Sequence, residues 1–474
     1  MVRVVTILVA VMASLSPLGA QERILPDTAR SLVDQVFAFV EPDAPGCAVG
    51  VIQDGHLVYG QGYGLANLDW GIPISTSTVF DIASVSKQFT AAAVALLELD
   101  GVLSLEDDVR QWVPEMPDYG ETITIRQLLN HTSGIRDYLT LLNLAAFDFA
   151  NVFNEEGGVR VITRQRATNF EPGSEYLYSN SGYLLLANIV RRAAGMSLRE
   201  FLDLRVFQPL GMTRSSIWDR NTEVLPGRAT GYTRAGAQGW RINHAWNFQM
   251  GGDGQVITSI EDLAKWDANF YDPVVGGQGL LDRLHTRGVL SSGDTIPYAL
   301  GLTLGQYRGL QRVQHGGSWA GFRSMMVRFP EQRTSVVLTC NRSDVNSGAL
   351  ANAVADVILA DRFPKPPAER VGTPTAREPG DEPVPEIMLS PEELEELAGR
   401  YASDELEVVF EVGVEEDRLT LLRPRQDPVI LRPGGADEFV ARGLTLTFMR
   451  EGGSVTGFRV YAGRVRGIVF ERVR

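Results

Sequence analysis

Ser84-Val85-Ser86-Lys87 sets a hydroxyl and an amine three residues apart. The amine is the telling group, because the 44 basic residues of this chain are 41 Arg and only 3 Lys. A guanidinium stays protonated, whereas a lysine in suitable surroundings gives up its proton near neutral pH. A serine nucleophile needs a base to take its proton and donors to hold the oxyanion. Positions i and i+3 share a helix face, so a helix started here puts Lys87 one turn from the Ser84 hydroxyl. Taken alone, the tetrapeptide is equally a serine helix cap followed by a surface lysine.

Two further groups of residues have matching chemistry. Tyr178-Ser179-Asn180 follows Glu171-Pro172-Gly173 and precedes an apolar run from Tyr183 to Val190. A phenol at a loop-to-helix junction serves as base or proton relay if it faces Lys87, whose ammonium would lower the ordinary tyrosine pKa near 10. The Asn180 amide can hold a substrate carbonyl. His315-Gly316-Gly317-Ser318 reads as the end of one strand and the start of a hairpin into Phe322, with two glycines that admit a close backbone approach. The Ser318 amide is the candidate second oxyanion donor, and His315 a polar partner near the Tyr178 hydroxyl. In isolation each of these is a turn.

The elements around them are legible. Thr78–Ala83 reads as a strand, and Gln88–Leu99 as a helix that stops near Gly101, which puts Ser84 at a helix N-terminus where free N–H groups favour an anion. Residues 45–65 alternate as a hairpin about Asp54-Gly55. Residues 85–270 are mostly helical in pattern. Strands return at Tyr298–Leu304, Leu310–His315, Phe322–Arg328 and Thr334–Cys340, and a helix follows over Ser347–Asp361. Strands from both ends of this region with helices between predict an α+β fold: one antiparallel sheet flanked by helices, plus a helical subdomain. Residues 363–389 are rich in Pro, Glu and Gly and read as a linker. Residues 390–474 change to a short helix at Pro391–Arg400 and then short alternating strands, which predicts a small all-β barrel or sandwich without a chemical motif of its own.

Composition sets the limits. At 474 residues the chain is long enough for two or three domains. A net charge of −14 argues against nucleic acid and anionic membrane surfaces as partners. Residues 1–20 have the form of a signal peptide: Arg3, an apolar run from Val4 to Leu15, then Pro17-Leu18-Gly19-Ala20 with an unusually large Leu18. The expectation is a periplasmic or secreted protein with no membrane span once that segment is removed. Five scattered histidines and two cysteines suggest no metal site and no cofactor. Cys47 and Cys340 lie in strand-like runs, as two buried thiols or, in an oxidising compartment, a disulfide.

Together these residues resemble the serine β-lactamases and penicillin-binding proteins, in the class C-like branch of cephalosporinases, D-Ala-D-Ala carboxypeptidases, D-aminopeptidases and family VIII carboxylesterases. The resemblance covers about residues 25–362. It rests on the order Ser-x-x-Lys, Tyr-x-Asn and His315-x-Gly317, and on Leu128–Ile135, Leu210–Thr213 and Gly251–Gly254. It implies Ser84 as the acylated nucleophile, Lys87 and Tyr178 sharing the base role, Asn180 on the substrate amide, and the Ser84 and Ser318 amides as the oxyanion hole. It also implies that Cys47 and Cys340 are neighbours on adjacent strands, and that the C-terminal unit is a lipocalin-like barrel.

Two departures bear on the substrate, expected to be a small molecule or peptide. His315 stands where the lactamases and carboxypeptidases usually carry Lys, and Asn346 is followed three residues later by Ala349 instead of a basic residue. Both changes remove a cation for a substrate carboxylate and favour an ester, an amide or an amine-bearing D-amino-acid peptide. Arg323 and Arg342 are the remaining candidate cations. A β-lactamase or D-Ala-D-Ala carboxypeptidase is the alternative, and a catalytically silent scaffold on the same fold is the third reading.

Overall fold

The computed structural model describes residues 24–236, 239–243, 247–364, 389–435 and 437–473. The signal-like segment 1–20 and nearly all of the 363–389 linker lie outside the described residues. One six-stranded antiparallel sheet is built from both ends of the first region, in the order Thr303–Tyr307, Leu310–Trp319, Phe322–Phe329, Thr334–Cys340, Cys47–Gln53, His56–Tyr63. The pairing of Cys47–Gln53 with Thr334–Cys340 is antiparallel and sets Cys47 opposite Cys340. The two sulfurs are joined as a disulfide, with Cα atoms 4.0 Å apart.

Helix Lys87–Leu99 is buried from Lys87 to Leu97, which suits its run of alanines and large aliphatics. It packs against helix Asn180–Ala194, which ends on Gly195 in the left-handed region at φ +68°. These two helices carry the chemistry-bearing motifs into one core beside the sheet. Among the described residues no helix is long and apolar enough to cross a membrane.

Residues 399–473 form a nine-stranded antiparallel barrel, nearly closed. The edge strands of that sheet are Val429–Ile430 and Arg432–Pro433, so its two edges meet on either side of Leu431. Its interior is filled by Tyr401, Phe410, Phe439, Phe448, Phe458 and Phe470. Phe410 and Phe470 stack there with ring centroids 4.3 Å apart, and Tyr401 packs tilted on Phe458 at 4.8 Å. Leu141 and Leu144 of the first region complete that core. A buried ion pair also joins the two parts, Arg136 Nη1 to Glu405 Oε2 at 2.6 Å, and the same Glu405 oxygen accepts the Arg166 amide.

Three local expectations are corrected. Ser84 lies in a 3₁₀ turn over Ala83–Ser86, and the α-helix starts at Lys87. Ala83 reaches φ +49°, and the Asp81 carboxylate holds its amide at 2.7 Å. The lead-in strand shrinks to Phe80–Asp81. The strand expected to end at His315 continues to Trp319, and the chain turns at Ala320-Gly321 instead. Tertiary packing keeps the two glycines extended: a Cβ on Gly317 would stand 2.2 Å from the Ile82 carbonyl oxygen.

Candidate active site

The Ala83–Ser86 turn, the start of helix Asn180–Ala194 and the His315–Trp319 half of its strand surround one cavity of about 790 Å³. Ser84, Tyr178, Asn180, His315, Gly317 and Ser318 line it, so the residues singled out from sequence converge. Lys87 lies beneath Ser84, fully buried. Its Nζ donates to Ser84 Oγ at 3.2 Å, to Asn180 Oδ1 at 2.9 Å and to the Asp253 carbonyl at 2.6 Å. Burial pulls the amine from its ordinary 10.5 down to about 8 and outweighs the opposing pull of the Asp253 and Asp137 carboxylates. Asn180 therefore commits its oxygen to Lys87 and keeps its NH₂ for a substrate carbonyl.

Tyr178 faces the same point. Its ring centroid is 5.0 Å from Lys87 Nζ, and its buried hydroxyl lacks a well-formed hydrogen bond. Burial drives its pKa well above 10. Ser84 and Arg464 offset that only in part, so the phenol stays protonated, contrary to the expectation that Lys87 would acidify it. His131, from the Leu128–Ile135 phrase, backs this ring at 4.2 Å between centroids and accepts the Ser179 amide on Nδ1.

His315 differs from expectation too. Its Nε2 is 2.9 Å from the Tyr298 hydroxyl, and its Nδ1 is 2.7 Å from the Gly316 carbonyl. A carbonyl only accepts, so Nδ1 carries the proton and Nε2 accepts from Tyr298. Tyr298, and not Tyr178, is thus its partner. Burial and nearby Lys87 hold the ring at about 4, so it is neutral at pH 7 and provides no cation.

Of the two candidate arginines, Arg323 lines the cavity while bonding the Ala320 and Phe322 carbonyls. Arg342 is occupied by Asp344 and the Pro45 carbonyl, away from the cavity. The cation over the site is one that sequence reasoning missed. Arg464, on the barrel turn between strands Ser454–Ala462 and Val465–Val473, sits 4.6 Å from the Tyr178 ring centroid and lines the cavity. Its backbone oxygen accepts from Asn169 Nδ2 at 2.9 Å, which fixes the turn in place. Tyr138, whose hydroxyl donates to Asp253 Oδ2 at 3.1 Å, was also missed. No local pattern marks either one.

The family model described as Beta-lactamase matches residues 29–360. The chain belongs to the beta-lactamase family. Within it, this chain is a serine hydrolase by descent, and it is 28% identical to a D-aminopeptidase of Gluconobacter oxydans over 90% of its own length and 96% of that protein's. It is 29% identical to penicillin-binding protein 4* of Bacillus subtilis, covering 67% of this chain and 74% of that one. Among solved structures, the octameric penicillin-binding protein homologue from Pyrococcus abyssi matches 94% of this beta-lactamase-family chain and 99% of its own, at 22% identity and TM-score 0.62. The D-amino acid amidase from Ochrobactrum anthropi SV3 matches 71% and 98%, at TM-score 0.58 and 22% identity. These two likenesses, barrel included for the first, are likenesses of fold.

Proposed function

We propose that the protein hydrolyses D-amino-acid amides or peptides, and esters, through an acyl-enzyme on Ser84. The observation that carries this is the buried Lys87 amine, shifted down to about 8 and bonded to Ser84 Oγ. Its neutral form accepts the Ser84 proton as the oxygen attacks the substrate carbonyl. The tetrahedral oxyanion is held by the Ser84 and Ser318 amides; the close approach of Gly317 to the Ile82 carbonyl, next to the Ala83–Ser86 turn, supports this. Tyr178, protonated and facing Ser84, hands its proton to the leaving nitrogen or oxygen and recovers it through Lys87. Water then attacks the ester on Ser84 by the same groups in reverse.

The D-aminopeptidase relatives and the neutral His315 both support an amine-bearing or uncharged substrate. A second reading, cleavage of a substrate with a carboxylate beside the scissile bond, as in a D-Ala-D-Ala carboxypeptidase or a β-lactamase, gains support from Arg464. A panel of D-alanine p-nitroanilide, p-nitrophenyl acetate, D-Ala-D-Ala and nitrocefin, with intact-protein mass spectrometry, tests both. Acylation in the wild type and none in Ser84→Ala is the expected result. An adduct on Ser84→Ala removes Ser84 as nucleophile. Location outside the cytoplasm belongs to the same proposal, supported by the signal-like residues 1–20 and the disulfide.

A further inference from the structure

A second cavity, about 370 Å³, opens beside the first where the barrel meets the segment Asp137–Leu144. The two share Leu139, Asn180 and Arg464 as a common wall. Three barrel loops reach this space, and each brings an arginine: Arg423 after strand Arg418–Leu422, Arg442 before strand Leu444–Glu451, and Arg464. Asp137 is the single acid among its lining residues. That carboxylate is already used: Oδ1 takes the Thr140 amide and hydroxyl at 3.0 Å each, and Oδ2 takes the Asn180 amide at 2.8 Å. Arg464 Nη1 stands off from it at 3.7 Å.

Arg423 and Arg442 have no carboxylate partner among the described residues, as is true of Arg400, Arg425, Arg432 and Arg459 of the barrel, but of these six only Arg423 and Arg442 line this space. Burial is the main influence making protonation of Arg423 harder, and the nearby charge of Arg442 adds to it. A chain with 58 acidic and 44 basic residues has carboxylates to spare. Three like charges around an open space, with one long ion pair from Arg464 to Asp137 as the cluster's counterion among the described residues, are arranged for a visiting anion.

We propose that this annex is a substrate subsite for a carboxylate carried on the leaving side of a peptide whose scissile bond lies at Ser84. It rests on the peptide-hydrolase reading above. The leaving side follows from position: Tyr178 passes its proton to the leaving atom, Arg464 covers the Tyr178 ring, and the annex lies beyond Arg464. Arg423 and Arg442 are then specificity residues supplied by the barrel, and the acceptor is an acidic peptide side chain or terminus.

The test is calorimetric binding to the full-length Ser84→Ala protein, which needs no turnover. The probes are the α-amidated peptides D-Ala-D-Glu and D-Ala-Gly-D-Glu, each against its Gln counterpart, so that one charge differs. At least one Glu peptide should bind roughly tenfold or more tightly than its Gln partner, a margin that shrinks between 50 and 300 mM NaCl. Arg423→Gln and Arg442→Gln should each remove most of that margin, and Arg442→Lys should keep part of it. Equal affinity within both pairs, or a Glu preference that survives the double Gln variant, overturns the proposal. If the double variant does not fold, the single Lys and Gln variants and the salt series decide. Wild-type turnover of D-alanine p-nitroanilide separates the two readings: none, with the Glu preference intact, sinks the D-peptidase reading alone, and turnover without the preference sinks the annex alone.

Discussion

If Lys87 is the base, the acylation rate titrates with it. The amine sits at about 8, down from 10.5, so it is the reactive free base above pH 8 and is lost as pH falls through that value. At pH 7 about 9% of it is neutral, against roughly 0.03% for an unshifted lysine, a gain of about 300-fold in competent enzyme. Asp253 is the largest influence opposing this shift. Asp253→Asn removes the charge while leaving the backbone carbonyl that accepts Lys87 Nζ and an oxygen for the Tyr138 hydroxyl. An opposite charge at close range is worth 1–3 pK units, so the midpoint should fall from about 8 to roughly 7 or below. The neutral fraction at pH 7 then rises about fivefold or more. The assay is the pre-steady-state burst of p-nitrophenol from p-nitrophenyl acetate between pH 5.5 and 9.5. A one-proton rise with a midpoint near 8 is expected for the wild type, moved down in Asp253→Asn and abolished in Lys87→Arg. An unmoved or rising midpoint, or a Lys87→Arg variant that keeps most of its burst rate, would refute the assignment of Lys87 as base.

Gly317→Ala places a methyl 2.2 Å from the Ile82 carbonyl and from Ser324 Oγ, so the strand must retreat from the nucleophile turn. A displacement near 1 Å costs about 100-fold in kcat, and a loss under fivefold would show that the strand does not hold the oxyanion. His315, held at about 4, does not gain charge between pH 7.5 and 5.5. The ratio of nitrocefin to p-nitrophenyl acetate turnover should therefore show no step in that range, whereas an unshifted imidazole, titrating at about 6.5, would give an acid-side gain. Removing the Cys47–Cys340 disulfide, which spans 293 residues, should lower the urea-unfolding free energy by roughly 2–5 kcal/mol with activity retained at 25 °C. Glu405→Gln leaves Arg136 buried without its carboxylate. That costs roughly 3 kcal/mol, and limited proteolysis should then separate the barrel from the rest, whereas an unchanged digestion pattern would place the joint elsewhere.

What the residues determine on their own is the part written in short range. The i, i+3 spacing of Ser84 and Lys87, the apolar runs behind them and the alternation of the barrel strands each dictate local structure through backbone periodicity. The tyrosine and asparagine at 178 and 180 and the glycine at 317 follow a spacing legible before any folding. Only the folded chain decides ionisation, because a pKa depends on how completely each group loses water and on which charges face it. Burial lowers the Lys87 amine, keeps the Tyr178 phenol protonated and leaves His315 neutral, and none of those outcomes is encoded by sequence neighbours. Only the fold, likewise, brings Arg464 to Tyr178 across 286 positions of chain. One arginine among 41 in a glycine turn has no local signature, and its place over the site comes from long-range packing: the shared Leu141–Leu144 core, the Arg136–Glu405 pair and the Asn169 clamp.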